Sequence, residues 1–149
     1  MGPEDSQEAG AATAAVDNGQ RDSMMADISR TMVKLYKDQF GRGPVKARSD
    51  WAGADTLVCV LEDTLTPAER NLQAMGEHQR LRDVRMFFQY ATLEEFVAPV
   101  EQITGRTVRS FISGMDAAAD VAMEAFVFYP RGEAGPSRAA ETAQTETAH

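Results

Sequence analysis

The sequence predicts an α+β two-layer sandwich in the order α-β-β-α-α-β-β. Helices pack on one face of a four-stranded antiparallel sheet. Three observations carry this. Apolar residues recur at steps of three and four between Met25 and Phe40, the spacing of one helical face. Two stretches, residues 45–61 and 107–129, each hold a pair of β-prone runs joined by turn-forming or small residues, the pattern of a hairpin. Between the hairpins, residues 67–104 return to helical spacing.

The first helix is expected from Ser23 to Phe40, with Met25, Ile28, Met32, Leu35, Tyr36 and Phe40 as its apolar stripe. Gly41 suits the left-handed residue after a helix, and Pro44 cannot continue one. Val45–Asp50 alternates loosely as a strand, Trp51–Asp55 forms a turn, and Thr56–Leu61 is a continuous β-prone run. Thr66-Pro67-Ala68-Glu69 then codes a helix start. Thr66 caps, Pro67 takes the first helical position, and Glu69 reaches back to close a capping box.

A short helix runs from Pro67 to about Ala74, and Gly76 interrupts the pattern. Residues 77–104 are helical in spacing, but one straight helix would reach ~42 Å, longer than an eight-residue strand at ~26 Å. A break is therefore expected at Ala91-Thr92, with Thr92 and Glu95 as a second capping box and Pro99 as a further cause of bending. Gly105 ends the helix. Thr107–Ser113 is a strand with Val108, Ser110 and Ile112 on one face and Arg109, Phe111 and Ser113 on the other. Gly114–Asp120 is a loop, and Val121–Tyr129 is the last strand. The run Phe40–Lys46 echoes Thr104–Arg109, each with a helix-ending glycine, an arginine and a strand opening. Two helix-hairpin halves are one explanation of the echo, and shared punctuation is the other.

The chain has 149 residues, and its ends differ from its middle. Residues 1–22 and 131–149 offer almost nothing apolar to bury, so both are expected to be disordered tails around one domain at residues 23–130. The tails carry three basic and eight acidic residues, the body twelve and fifteen. That balance disfavours nonspecific binding to nucleic acid or to an anionic membrane. Cys59 is the one cysteine, which excludes an intrachain disulfide and suits a reducing cytoplasm. No apolar run is long enough to span a bilayer, and the N-terminus lacks the layout of a secretion signal. Met1–Ser6 matches a myristoylation pattern only in form, since its acidic flank supplies no second membrane signal.

Chemistry is sparse. His78 and His149 are the only histidines, and no Cys/His spacing suits zinc. Adjacent Glu62 and Asp63 point to opposite strand faces, so no carboxylate metal site is expected. Cys59 sits in an apolar strand without a basic neighbour, and no nucleophile elbow or phosphate-binding loop is present. No catalytic residue, metal or cofactor is therefore expected.

The arginines are the candidate binding set. Arg82 and Arg85 share a helix face, Arg70 belongs to the short helix before it, and Arg42 and Arg106 occupy the two helix exits. Either they converge on an anion, or they form a solvated face paired with Glu69, Glu77 and Asp83. The run Met86–Tyr90 is too apolar for one helix face. It either leaves apolar surface for self-association or is sandwiched between the sheet and the first helix.

Four segments, Tyr36–Pro44, Leu65–Leu72, the Arg82–Arg85 helix and Ile103–Val108, together resemble the MpsC-like family over roughly residues 24–129. The family takes its name from a sodium-translocating, membrane-potential-generating system. The resemblance implies a non-enzymatic accessory or regulatory protein beside membrane subunits linked to ion and bicarbonate uptake. It implies a soluble accessory beside those subunits and not the pore; joined to the over-apolar helix and the single cysteine, it gives a cytoplasmic protein expected to bind itself as a homodimer and a protein partner, with peripheral association to the membrane subunits. It carries no catalytic residues. The alternative is a small-anion or metabolite binder using Arg70, Arg82 and Arg85 with Arg42 or Arg106.

Overall fold

The computed structural model describes the backbone of residues 4–140 and the side chains of residues 18–140. Its elements are α1 (Glu4–Phe40), β1 (Lys46–Trp51), β2 (Thr56–Glu62), α2 (Pro67–Ala74), α3 (His78–Ala91), α4 (Leu93–Thr104), β3 (Val108–Asp116) and β4 (Val121–Phe128). The strands make one antiparallel sheet in the order β1-β2-β4-β3. α1 lies on β1 and β2, while α3 and α4 lie on β3. This is the expected α+β sandwich, with the long helical stretch divided in two at Thr92.

The core lies between the layers. Ile28, Met32 and Tyr36 of α1 and Phe96, Val97 and Val100 of α4 bury against Leu57, Leu61, Phe111 and Phe126 of the sheet. Every second residue of β2 points into this core, as a sheet with one covered face requires.

Several local expectations change. α1 begins at Glu4, ahead of Ser23, so part of the expected N-terminal tail is helical. Residues 11–15 are mostly alanine, the strongest helix former, a local preference that a reading based on burial omits. Residues 18–22 remain exposed. Of the expected C-terminal tail, residues 131–140 fold back on the body. Ser137 Oγ meets Glu101 Oε1 at 2.9 Å, and Ala139 packs on the core. Residues 1–3 and 141–149 of the two tails lie outside the described residues.

β3 differs in phase from the expected alternation. A register shift between Val108 and Ser110 puts Val108, Phe111 and Ser113 on the buried side and leaves Ile112 exposed. An extra residue in one strand has this effect, because side chains alternate strictly on either side of it. Thr92 forms no capping box. Its hydroxyl donates to Phe88 O at 2.8 Å and accepts from Gln39 Nε2 at 2.7 Å, so it is already occupied. α3 packs inward through Leu81, Arg85 and Gln89 and leaves Val84, Phe87 and Phe88 exposed. The helix is thus not sandwiched on all sides.

Gly41 and Gly105 close α1 and α4 with φ of 79° and 68°. Their amides bond Lys37 O at 2.9 Å and Glu101 O at 2.8 Å. A Cβ in this left-handed conformation costs ~1–2 kcal/mol. Gly105→Ala is therefore expected to destabilise the protein by about 1 kcal/mol in urea unfolding. Gly114→Ala, on an ordinary strand backbone with open space at its Cβ position, should not.

Candidate functional site

The densest polar chemistry surrounds the start of α2. Thr66 accepts from Glu69 N–H at 3.3 Å, and Glu69 Oε1 accepts from Thr66 N–H at 3.0 Å, the expected capping box. The same carboxylate binds Arg85. Arg85 Nε meets Glu69 Oε2 at 2.5 Å, and Nη2 meets Oε1 at 2.6 Å. Arg85 is only 2% exposed. Its Nη2 also donates to Thr64 O at 3.0 Å, and its guanidinium lies 3.9 Å from the Phe40 ring centre. Burial pushes the Glu69 carboxyl upward, but hydrogen bonds from Arg85 and Thr66 outweigh it and hold the acid below its ordinary range.

The loop just before α2 is tied from the other side. Asp120 Oδ1 accepts from Thr64 N–H at 2.8 Å, and Oδ2 accepts from Leu65 N–H at 3.3 Å. Asp63 holds two arginines, Arg42 at 3.1 Å and Arg70. The Arg42 hydrogen bond, ahead of the charge of Arg70, keeps the Asp63 carboxyl low. Arg42 Nη1 also bonds Leu65 O at 2.7 Å.

Of the five arginines expected as a binding set, three gather here: Arg42 and Arg70 on Asp63, and Arg85 behind them on Glu69. Arg82 donates to Gln79 Oε1 at 3.0 Å on the outside of α3. Arg106 sits at the far end of β2, on Asp55 at 2.6 Å and Tyr129 O at 3.0 Å. An open pocket of about 470 Å³ adjoins Arg70, and its charged lining is Lys46 and Arg70 against Glu62, Asp63 and Asp120. This lining is acidic on balance, and Arg70 is committed to Asp63. The arginines consequently do not form one anion site; each of the five serves a protein acceptor.

A second polar centre lies in the core and was not singled out from the sequence. Glu124 of β4 is fully buried. Its Oε1 accepts from Tyr36 OH at 2.6 Å and from Gln89 Nε2 at 2.7 Å, while Gln89 also donates to Tyr36 OH at 2.8 Å. Glu124 Oε2 and Gln89 Oε1 are buried without partners among the described residues. Burial raises Glu124 from an ordinary 4.5 to about 7; Tyr36, Ser113 and Arg85 oppose the shift without cancelling it. Burial, then Glu124, keeps Tyr36 a neutral phenol. The sequence does hold a signal: Glu124 occupies the inward phase of β4 with Ala122, Phe126 and Phe128.

Chemically, the centre can hold one proton near neutral pH. Cys59 lies opposite Glu124 in the sheet, but burial raises its thiol to about 11, far from a reactive thiolate. Among the described residues, no group of three His, Cys, Asp or Glu side chains could hold a metal ion.

Two predictions follow from these centres. Glu69→Ala strands the buried Arg85 and should cost about 3–5 kcal/mol in urea unfolding, against about 1 kcal/mol for Thr66→Ala. Glu69→Leu combined with Arg85→Met should recover most of the loss. For Glu124, the folded state binds its proton more tightly than the unfolded chain does. Its contribution to stability is complete below about pH 4.5 and is lost as pH rises through about 7. The total change is on the order of 3 kcal/mol. Asp63 and Glu69, held low, act in the opposite sense and only at more acidic pH. Glu124→Gln should flatten the stability profile between pH 5 and 7.5, measured by denaturation midpoints along a buffer series. An unchanged slope would contradict this assignment.

The profile of the family described as Na+-translocating membrane potential-generating system (MpsC) matches residues 20–129. No curated protein and no solved structure matches the chain. The matched span takes in β1 to β4, α2 to α4 and the half of α1 that packs on the sheet. The chain belongs to the MpsC family.

Proposed function

We propose that this protein is an extramembranous, non-enzymatic accessory component of a Na+-dependent membrane-potential system, acting at the cytoplasmic side by binding a partner polypeptide. The family match over residues 20–129 carries the reading. Two features support the division of labour. No described helix is long and apolar enough to cross a membrane, so translocation is assigned to other components. The polar groups at the start of α2 are turned on one another, which suits a rigid docking body better than a catalytic cleft. Bicarbonate uptake is the transport process with which the proposed system would be coupled.

Deletion of the gene, with complementation, tests this. Loss of the protein should reduce the Na+-dependent component of membrane potential, read with a voltage-sensitive dye, and the tagged chain should co-purify with membrane-spanning subunits after detergent extraction. An unchanged potential together with no membrane-subunit recovery would overturn the proposal.

A further inference from the structure

The two edges of the sheet are unequal. At the β3 edge, α3 lies alongside, and Tyr90 OH accepts from Ser113 N–H at 3.1 Å. That outward amide is therefore occupied. β1 forms the other edge and pairs only with β2. Ala52 N–H bonds Thr56 O at 2.8 Å. Because bonded residues alternate along an antiparallel pair, this fixes the phase: Arg48 and Asp50 bond to β2, and Ala47, Ser49 and Trp51 turn their backbone groups outward. No strand pairs with β1 on that side among the described residues. An open row of backbone donors and acceptors is a template for another strand.

Above this edge runs a groove of about 530 Å³ between α1 and β1, lined by Ser29, Arg30, Val33, Lys34, Lys37 and Ala47. Val33 and Ala47 give it an apolar floor, and the three cations form its rim. Lys46 and Arg48 project from the opposite face of the same strand. Arg30 is paired with Asp27. Lys34, Lys37, Lys46 and Arg48 have no ion-pair partner among the described residues. On that opposite face Asp50 and Glu62, which stands across from Lys46, offset the two cations, whereas the groove lining holds three cations and no acid. In a protein of net charge −8, the groove is a local reversal of sign.

The geometry points to strand addition at β1, with an acidic, extended segment of a partner polypeptide as the occupant. Its backbone would continue the sheet, and its acidic residues, all of one phase, would turn to the α1 side and meet Lys34 and Lys37 at the rim of the groove. A second copy fits less well. Pairing β1 with its own copy would bring Arg30, Lys34 and Lys37 against the same three cations. A lipid surface offers no backbone for the open edge. This inference deepens the proposed docking role and rests on it only for the idea that a partner exists.

The test uses the purified full chain and a fluorescein-labelled octapeptide alternating valine and glutamate, read by anisotropy. Saturable binding is expected, weakening with salt. A valine-lysine peptide, and a valine-glutamate peptide N-methylated at alternate residues, should each bind at least about tenfold more weakly. Lys34→Glu with Lys37→Glu, both on exposed positions, should reduce affinity about tenfold with an unchanged circular dichroism spectrum. Ala47→Pro should abolish binding by removing an outward N–H. Equal binding of the N-methylated peptide would overturn strand addition, and equal binding of the lysine peptide would overturn the charge assignment. Absence of peptide binding would also overturn the inference. So would two alternatives to it: binding to phosphatidylglycerol vesicles in place of peptide, or a dimer in sedimentation that Ala47→Pro dissolves. Because only the isolated chain is used, a failure here is separate from a failure of the Na+-dependent potential assay.

Discussion

The carboxylate of Glu69 does two jobs whose separate failure would be costly. It closes the first turn of α2 and it neutralises Arg85 inside the protein. A buried guanidinium is tolerable only with its charge paired and its donors satisfied. Here one acid, the Thr64 carbonyl and the Phe40 ring supply the required partners. Arg85 belongs to α3, Phe40 to α1, and Thr64 to the loop leaving β2. The pair is thus the point where both layers of the sandwich are held in register.

The sheet is arranged symmetrically about its two hairpins. Its strand order places β2 and β4 at the centre, with β1 and β3 as outer partners. Ser49 lies opposite Cys59, Cys59 opposite Glu124, and Glu124 opposite Ser113. A row of small or polar residues therefore crosses all four strands beneath the helices. The two helix exits keep the same local form, a left-handed glycine followed by an arginine. Arg42 reaches the acid just after β2, and Arg106 the acid just before it. Each half contributes a clamp to opposite ends of one strand.

Much of the fold was legible because its determinants are local. The α1 stripe, the Thr66–Glu69 box and the closing glycines each act within a few residues, and short-range periodicity reports them. The bulge in β3 was hidden, since β1 to β4 can be read by alternation only where no residue is added. Thr92 failed as a cap because Gln39, far away in sequence, claims its hydroxyl. The site was less legible for the same reason. Arg82 and Arg85 look equivalent by helical spacing, yet one is at the surface and the other is buried against the Glu69 carboxylate of α2. Glu124 could have been flagged by its phase, but its partners Tyr36 and Gln89 come from separate helices and only the tertiary structure joins them.

α2 buries no residue of its own. A two-turn helix of that kind has little intrinsic stability, and on its own it would open and close freely on the surface. Its first turn is instead fastened through Glu69 to a charge that cannot be uncovered cheaply. Fraying of α2 and loosening of the core are thereby made a single cooperative event. A short surface helix inherits the opening free energy of the interior, and its amide hydrogens should be among the slow-exchanging set rather than the fast one.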